Sequence, residues 1–181
     1  MTVQDDGPGG RVLVFTGEGK GKTTAAVGQA VRLAGHGRRV LLVQFAKGSR
    51  ASGERVALER LSELITVKPL GAGWLDLKTH PRREEHVRQV AEAWTDTRRL
   101  LESGDYDDVV LDEVVFVVGA GFLPVDAVLA FLDAKPRTMT VVMTGRGDVP
   151  ALVARADTVT DMKKIKHPFD DGRPADAGVE Y

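Results

Sequence analysis

The stretch TGEGKGKTTAA at residues 16–26 constrains the fold more than any other part of the chain. It follows a short β-branched-rich run, RVLVFT at 11–16, which reads as a buried strand. From Lys22 the pattern turns helical, with Val27, Ala30, Val31 and Ala34 recurring at spacings of three and four until Gly35 and Gly37 supply a stop. A glycine-rich turn leading from a strand into a helix is a ready phosphate cradle. Gly17, Gly19 and Gly21 let backbone N–H groups converge on an anion, and the helix presents its positive end to the same point.

Two phosphate-binding patterns can be tested on the loop. The dinucleotide pattern G-x-G-x-x-G fails, because Lys22 and Thr24 stand where its third glycine belongs. The pattern G-x-x-x-x-G-K-[ST] fits at Gly21, Lys22 and Thr23, with Thr16 in place of the first glycine. The chemistry agrees with the second pattern. Lys22 brings a point charge to phosphate, and the Thr23 hydroxyl can ligand Mg2+.

The rest of the chain alternates. RRVLLVQF (38–45), ITVKPL (65–70), DDVVLDE (107–113), TVVMTG (140–145) and DTVTDM (157–162) read as strands. Helical patterns cover 53–64, Pro81 to about Leu101, 123–136 and VPALVARAD at 149–157; the long one carries Val87, Val90, Ala91, Trp94 and Leu101 on one face. Residues 71–81 read as a loop, and periodicity is lost from Lys163. Strands that alternate with helices predict a single α/β domain over 11–181, after a flexible lead-in at 1–10. Its mostly parallel sheet is flanked by helices on both faces, and with the phosphate loop on the first strand it is P-loop NTPase-like (RecA-like). Ligands bind such sheets at the carboxyl ends of the strands, where the loops after the first, second, fourth and fifth strands fall.

Composition narrows the function classes. Lys+Arg is 25 against Asp+Glu 26, so no overall basic field draws the chain to nucleic acid or an anionic membrane. The one basic cluster is KKIKH at 163–167. Cysteine is absent, which removes thiolate metal sites and nucleophiles. The apolar runs are far shorter than the roughly 20 residues that span a bilayer, and MTVQDDGPGG is unlike a signal peptide. A cytoplasmic protein is the expectation.

Asp112 and Glu113 end an apolar strand, the position from which an acid commonly holds a nucleotide's metal ion, directly or through water. Arg146, in TGRG after the fifth strand, can reach a phosphate with two N–H donors. No residue stands out as a nucleophile or general base. The residues alone leave a kinase, an ATPase and other phosphate chemistries open.

TGEGKGKTTAA, RLAGHGRRVLLVQFAKG with GER, VVLDE, TGRG and ADTVTDMKKIKHPF with DAGVEY resemble, in order and spacing, the P-loop type ATP:corrinoid adenosyltransferases over about residues 11–181. The resemblance implies that a reduced Co(I) corrinoid is the nucleophile. It attacks C5′ of ATP, the whole triphosphate leaves, and no protein base is needed. Gly17, Glu18, Gly19, Lys20, Gly21, Lys22, Thr23 and Thr24 are then the ATP loop, with Arg32 and Arg146 as further ATP contacts. Lys22 and Arg146 stabilise the leaving group, while Thr23, Asp112 and Glu113 hold Mg2+ or Mn2+. Trp74 is implied to pack against the corrin. The resemblance also implies a homodimer and an external reductant protein, with no nucleic acid or membrane partner.

Three positions depart from the family pattern. Ala72 replaces the first aromatic of Phe-x-Trp, Glu18 replaces Asn or Asp, and Val115 stands where Asn or Thr is common. They motivate one alternative, a paralogue that binds ATP and corrinoid without catalysis. A P-loop phosphotransferase or NTPase acting on another small molecule is the other.

Overall fold

A computed structural model gives the fold and describes residues 9–46, 52–71 and 83–179. Six strands, β1 (Val12–Thr16), β2 (Val40–Gln44), β3 (Ile65–Pro69), β4 (Asp108–Asp112), β5 (Val141–Thr144) and β6 (Thr158–Asp161), form one sheet in the order β3-β2-β4-β5-β1-β6. Every pairing is parallel. The helices are α1 (Lys22–Ala34), α2 (Gly53–Leu58), α3 (Arg83–Glu102), α4 (Val114–Gly119), α5 (Val125–Ala134) and α6 (Pro150–Arg155). The doubly wound P-loop NTPase-like sheet expected from the sequence is present, and β5 separates the phosphate-loop strand β1 from the acid-bearing β4.

Period-two alternation divides the strand side chains between two cores. Val12, Val14, Leu41, Val43, Val109, Leu111, Val141 and Met143 face α3, α4, α5 and α6. Val40, Leu42, Val110 and Val142 face α1 and α2. Trp94 of α3 anchors the larger core, its ring 6.3 Å from Phe45 and 5.8 Å from Phe131.

Several expectations are corrected in detail. The α1 stripe is Lys22, Ala26, Ala30 and Ala34, an i,i+4 row of small residues behind the buried lysine. Methyl side chains let the helix lie close to the sheet, so the bulkier Val27 is only partly buried and Val31 is 42 % exposed. On α3 the buried row is Val90, Ala93, Trp94 and Thr97; Ala91 is exposed, and Thr97 is accommodated because its hydroxyl donates to the Ala93 carbonyl at 2.7 Å. The helix expected over 53–64 stops at Leu58 and tightens into a 3-10 turn at Glu59–Leu61. Glu113 lies beyond β4 rather than in it. Helix α4 was not foreseen, since its valines favour strands; burial on both sides overrides that propensity. Pro81, Ala72 and Trp74 lie outside the described residues.

At the amino ends of the strands an ion pair between a buried carboxylate and a half-buried arginine fastens β2, β4 and β5. Asp108, fully buried, accepts from Arg38 Nη2 at 2.7 Å and from the Thr140 amide at 2.8 Å. The Arg38 guanidinium also donates to the Thr138 carbonyl at 2.9 Å. This hydrogen-bonded carboxylate raises the arginine above its ordinary value. Without Asp108 the Thr140 amide loses its acceptor, while the Arg38 guanidinium, a third exposed, can turn to water. Asp108→Ala is expected to destabilise the fold by about 2 kcal/mol in urea denaturation.

Candidate functional site

The loop between β1 and α1 gathers the predicted residues at the carboxyl end of the sheet. Gly17 adopts φ 96° and Gly21, the residue before α1, φ 114°, conformations that side-chain-bearing residues rarely adopt. Gly19 is required for a different reason. Its amide donates to the Met162 carbonyl at 2.5 Å, and the backbone of Met162 and Lys163 lies where a Cβ would project. The segment after β6 is therefore laid directly against the phosphate loop, which brings the start of KKIKH to its rim.

Lys22 is 6 % exposed. Its ammonium donates to the Gly17 carbonyl at 2.7 Å and the Gly19 carbonyl at 2.6 Å, which holds it inside the curve of the loop. Burial, and then the nearby Arg146 guanidinium, push it below the ordinary lysine value of 10.5; Glu113, Glu18 and Asp112 act the other way. A buried cation with an adjacent cation is poised for an anion that would complete its solvation.

Three strands end in polar residues on the α1 face. Gln44, Asp112 and Thr144 each stand two residues past an apolar residue of that face, namely Leu42, Val110 and Val142. Asp112 is 1 % exposed and is the centre of the row. Its Oδ1 accepts from the Thr23 hydroxyl at 2.8 Å and from the Thr144 hydroxyl at 2.7 Å. Its Oδ2 accepts from Gln44 Nε2 at 3.5 Å. Thr144 in turn accepts the Glu113 amide at 2.9 Å. This bond helps hold Glu113 at φ 64°, the one positive-φ residue other than glycine among the described residues. Non-glycine residues in that region cluster at functional sites.

Arg146 reaches across the loop, its Nη1 3.6 Å from Glu18 Oε2. Both side chains are more than half exposed, so the pair contributes little to stability. Glu18 thus points outward to a cation and away from the interior of the cradle. Thr16, in the place of the first glycine, donates its hydroxyl to the Gly147 carbonyl at 3.2 Å, tying the loop to the Arg146 turn. Lys20 and Thr24 are exposed at the rim. Val115 is buried in the larger core and does not enter the site. Arg32 lies exposed in the last turn of α1, about 15 Å along the helix axis from Lys22 at 1.5 Å per residue, and is not brought to the loop.

Gln44 and Thr144 escaped the sequence reading. The signal was available: each is a polar residue ending an otherwise apolar interior strand, VLLVQ and VVMT.

The sequence matches the family "ATP:corrinoid adenosyltransferase BtuR/CobO/CobP" over residues 9–181. It is 40% identical over 172 residues to the corrinoid adenosyltransferase of Escherichia coli K12, covering 95% of this chain and 86% of that protein. It is 41% identical to the corrinoid adenosyltransferase CobA of Salmonella typhimurium LT2, again over 95% of this chain and 86% of the relative. With the corrinoid adenosyltransferase of Pseudomonas aeruginosa PAO1 the identity is 40%, over 95% of this chain and 84% of that protein. The chain belongs to the ATP:corrinoid adenosyltransferase family and is an adenosyltransferase of that class. Among the described residues no helix is long and apolar enough to cross a membrane.

Gly19→Ala is expected to open the contact with Met162 and Lys163 and lower ATP affinity at least tenfold. Calorimetric titration with ATP measures this, and thermal melting without nucleotide reports the accompanying loss of stability.

Proposed function

We propose that this adenosyltransferase moves the 5′-deoxyadenosyl group of ATP to the cobalt of a reduced Co(I) corrinoid and releases triphosphate. The cobalt–carbon bond forms with the electron pair of Co(I) as the C5′–oxygen bond breaks, and that pair of bonding electrons leaves with the triphosphate. The observation that carries this reading is the Lys22 ammonium, buried inside the loop at the N-terminus of α1 in a chain of this family.

The phosphate loop holds the leaving group. Lys22 and the loop amides sit where negative charge grows as the bond to C5′ breaks, and groups already in place cost no reorganisation at that moment. Arg146 exchanges its weak surface pairing with Glu18 for the triphosphate, at little cost. Gly17, Glu18, Gly19, Lys20, Gly21, Thr23 and Thr24 line the ATP loop. Arg32, at the far end of α1, is left out of it. Trp74 packs against the corrin in this reading. A homodimer, an external protein reductant that supplies Co(I), and action in the cytoplasm belong to the same reading.

The residues fit a divalent cation. Thr23, Asp112 and Glu113 offer hard oxygen donors beside the loop, the kind Mg2+ or Mn2+ takes. Among the described residues no cluster of three His, Cys, Asp or Glu side chains forms a cage. That suits an ion held by one or two carboxylates together with substrate phosphates. When bound, the ion would neutralise part of the triphosphate charge.

The test is anaerobic. Protein, ATP, Mg2+ and chemically reduced Co(I) cobalamin are expected to give a light-sensitive alkyl-cobalt spectrum and intact triphosphate. Lys22→Ala should lower the rate by about 100-fold or more, and Trp74→Ala should slow adenosylation while sparing ATP binding. ADP and phosphate formed without corrinoid would instead establish an NTPase. Binding of both substrates with no product would establish the non-catalytic paralogue.

Lys22 also predicts a pH dependence. Triphosphate favours the charged ammonium, so ATP binding should take up protons, and affinity should fall as pH rises through a lysine value lying below 10.5. Titration calorimetry at alkaline pH in buffers of different ionisation enthalpy measures the uptake. It should vanish in Lys22→Arg, whose guanidinium does not titrate there.

A further inference from the structure

The polar row on the α1 face leaves one group unaccounted for. Gln44 is fully buried at the carboxyl end of β2, directly opposite Asp112 of β4 in the parallel register. Its main chain is fixed by the Leu70 and Gly71 amides, which donate to the Gln44 carbonyl at 3.1 and 2.9 Å. Its side-chain Nε2 approaches Asp112 Oδ2. Its Oε1 accepts no hydrogen bond.

A buried carbonyl without a donor is costly, and proteins rarely keep one unless something else fills it. Leucine in this place would remove the unmatched carbonyl together with the Nε2 donor to Asp112 Oδ2. The unmatched oxygen has an under-used neighbour. Both hydroxyl donors go to Asp112 Oδ1, so Oδ2 receives only the long bond from Gln44. Two buried acceptor oxygens with spare capacity thus belong to the facing residues Gln44 and Asp112, and the other oxygen of the same carboxylate takes the Thr23 hydroxyl. Their complement is a group with two strongly polarised O–H donors. Water bound to a divalent cation is such a group, and Mg2+ keeps several waters when it binds nucleotides.

We propose that Gln44 Oε1 and Asp112 Oδ2 together accept the two protons of one water of the hydrated cation that accompanies ATP. Gln44 is thereby a positioning residue. It orients the cation through that water and makes no contact with the reacting atoms. The inference rests on the proposed ATP and cation reading of the site.

Mn2+ serves as the probe, because its paramagnetic resonance signal reports free ion directly. With the protein in excess over ATP, so that no nucleotide is left free to hold the ion in solution, Gln44→Leu is expected to weaken Mn2+ binding about tenfold, the usual loss when an outer partner of a metal site is removed. ATP binding in EDTA should be retained, and the ligand-free melting temperature reads separately the balance between losing the unmatched Oε1 and taking the Nε2 donor from Asp112 Oδ2. Gln44→Met, which keeps the chain length, gives the same readout if the leucine variant folds poorly. Equal Mn2+ affinity in wild type and variants would overturn the inference and leave the proposed function standing. A wild-type protein that binds no Mn2+ with ATP would overturn the inference and the cation part of the proposed site, with the transfer reaction judged by the alkyl-cobalt assay. Weakened Mn2+ binding in a protein that makes no alkyl-cobalt would support the inference and remove the proposed reaction.

Discussion

A carboxylate shut away from water must be met by donors, and the site is arranged around the one at Asp112. The three side chains that meet it come from three places in the chain: Thr23 at the start of α1, Thr144 at the end of β5 and Gln44 at the end of β2. Each bond therefore fixes the height of one element relative to β4. Once those heights are set, the phosphate loop, the Glu113 turn and the Arg146 turn share one rim. The cradle is positioned from below by the buried acid, while Lys22 is held inside the curve of the loop by the Gly17 and Gly19 carbonyls.

Much of this was legible in the sequence. The strand–loop–helix context of GKGKTT, the alternation of strands and helices, and the two acids closing DVVLDE led to the fold and to most of the candidate site. What the sequence hid depends on packing at a distance. Ala26 looks less apolar than Val27 and Val31, yet it is buried with Ala30 and Ala34 because α1 lies close to the sheet. VVFVVG carries strand-forming residues, but the left-handed turn at Glu113 ends β4 and burial makes the segment helical. Arg32 shares a helix with Lys22, but ten residues of rise carry it to the opposite end.

The departures from the family pattern divide along the same line. The longer side chain of Glu18 beside a polyanion is unfavourable on paper, and the fold disposes of it by turning it outward to Arg146. Val115 belongs to the packing of α4, buried in the larger core. Local sequence identifies a substitution; only the direction of the side chain says whether chemistry feels it.

The contact between Gly19 and Met162 joins residues 143 positions apart. Strand β1 lies between β5 and β6, which follow it by more than a hundred residues in the chain. During synthesis GKGKTT therefore emerges well before the strands and the Met162 segment that enclose it, and until they follow, the nascent chain has the sequence of the loop without its walls. ATP, abundant in the cell, can stabilise the finished fold by mass action but has little to grip on its precursors. Ligand binding then acts as a check on completion.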